Sequence, residues 1–197
     1  MSSCRGTTYF ITIVFALVTG VAGAFSQAKP GMRTSSQVSR GKFLVLIGGC
    51  NDCHSPKVFT QMGPVPDTTR LLSGHRAEAP VPNLPDGVIG TTPDKWGAVA
   101  TGEFTGWRGP WGTSFAANLT PDKETGIGSW TPDMFIKALR TGKHMGSGRD
   151  ILPPMPWYDL GHLPDPDLKA IFSYLQSLKP VSNAVPDPIP PPAPPKQ

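Results

Sequence analysis

The feature that most limits what this chain can become is a run of five residues, Cys50-Asn51-Asp52-Cys53-His54. Two cysteines three apart share one face of a helical turn, and the next side chain follows them round the axis. On that geometry the two sulfurs can form thioethers to the two vinyl groups of a porphyrin. The imidazole of His54 then points at the iron as proximal ligand. Other uses of such a pair fit less well. A zinc site needs two further ligands, and His75, His144 and His162 stand singly, not as a spaced pair. A thioredoxin-like pair expects a strand before it and alternating strands and helices after it, whereas a helical pattern precedes this one. A disulfide closing so short a loop would add little stability. Cys50 and Cys53 are therefore expected to hold one covalent haem c.

The remaining cysteine, Cys4, lies in a segment with the features of a secretory leader. It has one positive charge at Arg5 and an apolar run from Tyr9 to about Leu17 that continues to Ala24. Small residues for cleavage stand at Ala22-Gly23-Ala24, with Ala28 as a later site. The run is short for a bilayer span and is broken by Gly20 and Gly23. Residues 1–24 are expected to be removed, leaving two cysteines and no transmembrane span. Thioether attachment happens outside the cytoplasm, which agrees with export to the periplasm.

The chain contains 24 Pro and 22 Gly in 197 residues, and so many breakers exclude a long-helix bundle or coiled coil. Eight of the prolines fall between Pro180 and Gln197. Residues 181–197 are expected to form a polyproline II or disordered tail, either solvated or serving as a docking arm. Residues 25–37 form an N-terminal segment, and residues 38–180 the folded domain.

Three segments of that domain read as helices. From Val38 to Gly48 the apolar residues Phe43, Leu44, Leu46 and Ile47 recur at near-helical spacing. A second helix opens at Thr131 as cap, with Pro132 first and Asp133 favoured by the helix dipole, and stops at Gly142. The third starts at Asp165 and Pro166 and carries the stripe Leu168, Ile171, Phe172, Leu175 and Leu178.

Between His54 and Trp130 the chain is dense in Gly, Pro, Asn, Asp and Thr and shows little periodicity. Three short helices and a loop of that length bury too little alone, and a bound cofactor acting as part of the core would supply the deficit. Trp96, Trp107 and Trp111 fall in this stretch and are expected to cover it. His75, next to a glycine, reads as a turn or surface residue.

The sixth ligand decides the chemistry, because an open iron binds gases or peroxide while a Met-capped iron transfers electrons. Met155 is the expected distal ligand. It stands in Leu152-Pro153-Pro154-Met155-Pro156-Trp157, where three prolines stiffen the backbone and remove competing amide donors. Met145, in a glycine-rich loop after the second helix, is the second choice. Met134 reads as core, and Met32 and Met62 are poorly placed.

Taken in order, Arg40-Gly41-Lys42-Phe43-Leu44, the CxxCH run, Leu72-Ser73-Gly74-His75 and Ala117-Asn118-Leu119-Thr120-Pro121-Asp122 form a pattern. Gly126-Ile127-Gly128-Ser129-Trp130 and Pro153-Pro154-Met155-Pro156-Trp157 complete it. The set resembles class I cytochromes c, in particular periplasmic mono-haem members, over about residues 40–180. The resemblance implies an all-α fold of few short helices and long loops wrapped around one haem. It implies that the first and last helices cross with an aromatic contact, Phe43 against Phe172 or Tyr174. It also implies that Pro64 lies beside His54, its carbonyl accepting the ring N–H, and that Trp130 lies near a haem propionate. The segment between His54 and Trp130 is longer than in the smallest members.

The formal net charge is +4, of which Arg5 leaves with the leader. No basic run or helix supports nucleic-acid binding. A weak positive charge could steer docking to an acidic redox protein, with Lys57, Lys143 and Arg149 near the haem edge or simply solvated. The expected function is single-electron transfer between periplasmic or membrane redox partners: a dehydrogenase, a quinol-oxidising complex or a terminal oxidase. One variant is a dedicated subunit of a dehydrogenase. The alternative is a haem enzyme or gas sensor with an open sixth position.

Overall fold

A computed structural model of the protein describes residues 30–81 and 87–192; the expected leader, residues 1–24, lies outside them. Helix α1 (Pro30–Ile47) opens this part of the chain and begins at Pro30, not at Val38, so it takes in much of the expected N-terminal segment. It packs across the last helix, α5 (Asp165–Gln176). The crossing is made by backbone. A β-carbon at Gly41 would lie 1.9 Å from the carbonyl oxygen of Ala170 and 2.8 Å from Cβ of Tyr174. One residue earlier, Arg40 makes a bidentate pair with Asp167, with Nε and an Nη at 2.9 and 3.0 Å from the two carboxylate oxygens.

The aromatic crossing contact expected of Phe43 is not made. Two residues on from Gly41, a side chain points to the far side of the helix. Phe43 is exposed there, beneath the Arg40 guanidinium at 5.8 Å. Phe172 instead meets Phe135 of α3 (Pro132–Thr141), their ring centroids 5.4 Å apart. The other two sequence-read helices form where their end signals stand. The Thr131 hydroxyl accepts from the Met134 N–H, Pro132 occupies the first turn, and Gly142 closes α3 with φ 65°. Leu168, Ile171, Phe172 and Leu175 of α5 join Val45, Leu72, Ile127, Phe135 and Leu139 in one buried cluster.

Two short helices carry the chemistry-bearing residues, or stand beside them: α2 (Cys50–His54) and α4 (Trp157–Leu160). Helices dominate as expected, but the long Gly/Pro stretch also folds into two small antiparallel sheets. Strands β1 (Lys57–Thr60) and β2 (Gly63–Pro66) make a hairpin in which Lys57 faces Pro66 and Thr60 faces Gly63. Strands β3 (Val99–Ala100), β4 (Gly106–Gly109) and β5 (Gly112–Phe115) make the second sheet, with Gly106 facing Phe115. Strands this short do not show a legible alternation: β1 runs from one buried residue to three exposed ones.

The proline-rich end departs most from expectation. Residues 181–192 are extended, but they are bound to the domain and extend it beyond residue 180. The carbonyl of Val181 accepts from Asn118 Nδ2 at 2.8 Å, and the Asn183 N–H donates to Thr125 Oγ1 at 3.0 Å. The buried side chain of Asn183 donates to the carbonyls of Ser73 and His75 at 2.7 and 2.8 Å. Further on, Ile189 bridges Thr113 of β5. Prolines cannot donate to a ladder, yet a polar residue and a non-proline residue among them suffice to strap the segment down.

Candidate haem site

Gly49, with φ 64°, turns the chain sharply out of α1 and into α2, which carries Cys50, Cys53 and His54 in a single turn. No disulfide joins the two cysteines, and both are half-buried. Burial pushes the Cys50 thiol up to about 11 and raises that of Cys53 as well, so both are protonated at neutral pH. A protonated thiol suits thioether formation, in which S–H adds across a vinyl C=C: sulfur bonds one carbon, hydrogen goes to the other, and no oxidant is consumed. It suits a zinc thiolate or a reactive redox pair poorly. Among the described residues no group of three or more His, Cys, Asp or Glu could hold a metal ion by itself.

His54 is buried, and its Nδ1 lies 2.8 Å from the carbonyl oxygen of Ala117. A carbonyl only accepts, so Nδ1 carries the proton and Nε2 keeps its lone pair. Burial pushes the imidazole below its ordinary pKa, which also keeps the ring neutral. A neutral imidazole with its second nitrogen tied to a carbonyl is the form in which histidine binds iron. The carbonyl expected from Pro64 does not serve here. Pro64 is exposed in the β1–β2 hairpin opposite Phe59, and the hairpin register carries it into strand pairing.

The Ala117 carbonyl is held in place by lacing between two segments. Gly74 N donates to His54 O at 2.7 Å, His75 N to Ala116 O at 2.9 Å, and Leu119 N to Leu72 O at 2.8 Å. Gly74 has φ 80°, and a β-carbon there would lie 2.6 Å from Ala116 O, so only glycine allows this approach. His75 is fully buried, not a surface residue. Its Nδ1 is 2.9 Å from Thr105 Oγ1 and its ring lies 4.7 Å from that of Phe115. Asn118 is buried too, and joins Thr120, Thr125 and Val181 by hydrogen bonds.

Lys57 is likewise structural. Its ammonium group donates to the carbonyls of Asn51, Asp52 and Ser55 at 3.1, 2.9 and 2.6 Å and caps the C-terminal end of α2. Lys143 is paired with Asp150, and Arg149 donates to the Asp150 carbonyl. The three charges thus have partners within the chain.

Met155 is half-buried and packs against the core cluster, as do Leu44, Cys50, Leu119, Trp130 and Trp157. Its loop is tied by Met155 N to Leu152 O at 3.3 Å and Trp157 N to Met155 O at 2.9 Å. Met145 sits in a 3-10 turn, His144–Gly146, with φ 55° and an exposed side chain. Met62 is almost wholly exposed. Trp130 meets His144 edge to face, with centroids 5.1 Å apart. Sequence reasoning missed Ala117, which contributes only backbone, and Gly41. It also missed Asn183, whose one signal is an amide residue in an otherwise proline-dominated segment.

The residues fit the group the motif implies: protonated thiols on one turn, a neutral tethered imidazole beside them, and half-buried apolar side chains around. Fold and site together define a class I c-type cytochrome with one covalent haem c and its iron.

No family model matches the chain, but curated proteins do. Over 83 residues, 41% of the chain, it is 39% identical to the cytochrome c subunit of alcohol dehydrogenase (quinone) from Gluconobacter oxydans, covering 17% of that protein. Over 172 residues, 87% of the chain, it is 29% identical to the gluconate 2-dehydrogenase cytochrome c subunit of Pantoea cypripedii, covering 30% of it. Over 180 residues, 91% of the chain, it is 24% identical to the fructose dehydrogenase cytochrome subunit of Gluconobacter japonicus, covering 29% of it. The chain thus spans less than a third of the length of these relatives. Haem c is attached outside the cytoplasm, and the chain is an exported one. Among the described residues no helix is long and apolar enough to cross a membrane.

Proposed function

We propose that the chain serves as the electron-transfer subunit of a periplasmic dehydrogenase. It would accept electrons one at a time from the substrate-oxidising subunit and pass them to a membrane or periplasmic acceptor. The observation that carries this reading is the gluconate 2-dehydrogenase match over 87% of the chain, which extends far beyond the CxxCH run. Residues 1–24 act as the export leader.

The haem supplies the one-electron Fe(III)/Fe(II) couple. Cys50 and Cys53 hold the group covalently, so it is not lost between encounters. His54 is the proximal ligand, with its ring orientation set by Ala117. Met155 would serve as the distal ligand, a role supported by its place in a proline-stiffened loop that packs on the core. Met145 is disfavoured by its exposed position. Trp130, packed on the core and against His144, would serve a haem propionate. A thioether and an imidazole as the two ligands would favour the reduced state of the iron and raise its potential. Leu44, Leu119 and Trp157, half-buried against the core, would help to shield the group from water.

The test is substrate-driven reduction. Oxidised holoprotein is mixed with periplasmic extract of its host, and the reduced-haem α band is followed as alcohols, aldoses and aldonates are added. Reduction accelerated by one substrate class supports the subunit reading. Equal rates with and without every substrate, while dithionite still reduces the haem, would contradict it.

A further inference from the structure

We propose that Ser114 is a positioning residue for the distal-ligand loop, and that the C-terminal strap holds the strand on which Ser114 stands. The inference rests on Met155 as distal ligand.

The Ser114 hydroxyl donates to the carbonyl of Pro153, 39 residues away, and accepts from Trp111 Nε1 at 3.1 Å. The direction of each bond is forced. An indole N–H can only donate and a carbonyl can only accept, so the single hydroxyl proton goes to Pro153. Ser114 is buried, where such a bond is not exchanged freely for water. Pro153 stands two residues before Met155. With prolines at 153, 154 and 156, the loop has few amides with which to tie itself. An outside tether therefore matters more here than in an ordinary loop.

The tether is itself anchored. Strand β5 lies at the edge of its sheet, and that edge is taken by the strap. Thr113 N donates to Ile189 O at 2.7 Å and Ile189 N to Thr113 O at 2.9 Å. Gly112, with φ 94°, allows the approach, since a β-carbon there would lie 2.1 Å from Ile189 O. The order of support thus runs from the strap to β5, from Ser114 to Pro153, and on to Met155.

The experiment uses oxidised holoprotein and two readouts: hydrogen exchange of the Met155 and Trp157 amides, and the rate at which added imidazole displaces the distal ligand. Ser114→Ala is expected to speed both by about five- to tenfold, the shift produced by losing one net hydrogen bond. Ser114→Thr, which keeps the hydroxyl, restores near-native rates. Trp111→Phe and Ile189→Pro each give a smaller increase at the same two amides. They also test the link if Ser114→Ala fails to fold. Unchanged exchange at Met155 and Trp157 in all these variants overturns the proposal. Faster exchange without faster imidazole entry overturns it differently: Ser114 then holds the loop, but Met155 is not the ligand.

Discussion

Gly41 and Ala170 bring two helices into backbone contact, with 1.9 Å between the Ala170 carbonyl oxygen and the place a β-carbon at position 41 would take. A methyl group cannot be accommodated there by a rotamer change, because the neighbour is backbone. Gly41→Ala must displace α1 from α5 and is expected to cost about 1–3 kcal/mol. Guanidinium unfolding of the holoprotein measures it, and an unchanged midpoint would place the helix crossing elsewhere.

The strap is expected to contribute to stability in spite of its prolines. Asn183→Ala leaves the carbonyls of Ser73 and His75 without the donors they have in the interior, a loss of about 1–3 kcal/mol. Urea unfolding should show a lower midpoint with an unchanged slope. A variant as stable as the parent would mean that the segment is solvated in solution.

His75 and Asp167 contribute to the fold's acid dependence in separate windows. Burial pushes the His75 imidazole below its ordinary 6.5, with the nearby Glu103 carboxylate opposing. The unfolded chain takes up that proton near pH 6.5 while the folded chain resists, so stability is full above this pH and falls as the pH drops toward the folded value. The Arg40 guanidinium holds the Asp167 carboxyl below its ordinary 3.8. Its contribution is present above that pH and is lost as the pH falls through the folded value. Stability against pH should therefore decline twice, with His75→Gln reducing the first decline, to which His144 also contributes, and Asp167→Asn reducing the second, to which Asp67 and Asp122 contribute. Curves for the two variants that run parallel to the parent's would assign the titration to other groups.

The same residues separate what local sequence encodes from what it does not. Cys50, Cys53 and His54 are legible because one helical turn fixes their geometry locally. Helix α3 is legible because Thr131, Pro132 and Gly142 act on backbone groups within a few residues. The partner of His54 is not, since Ala117 is 63 residues away and offers only a carbonyl that every residue has. The same holds for the Gly41 crossing and for β1 to β5, whose pairing is set by long-range contact and not by side-chain pattern. His75 reads as exposed because the glycine beside it signals a turn. The turn exists, but Gly74 uses its φ of 80° to carry the next residue inward. The tail reads as free by composition, in which one asparagine and one isoleucine count for little among so many prolines.

The ligand pair is the centre of the account, and the optical spectrum of the oxidised protein tests it most directly. A weak sulfur-to-iron band near ~700 nm is expected in the parent, present in Met145→Ala and absent in Met155→Ala. A parent without the band, or a Met155→Ala protein that keeps it, would contradict the account.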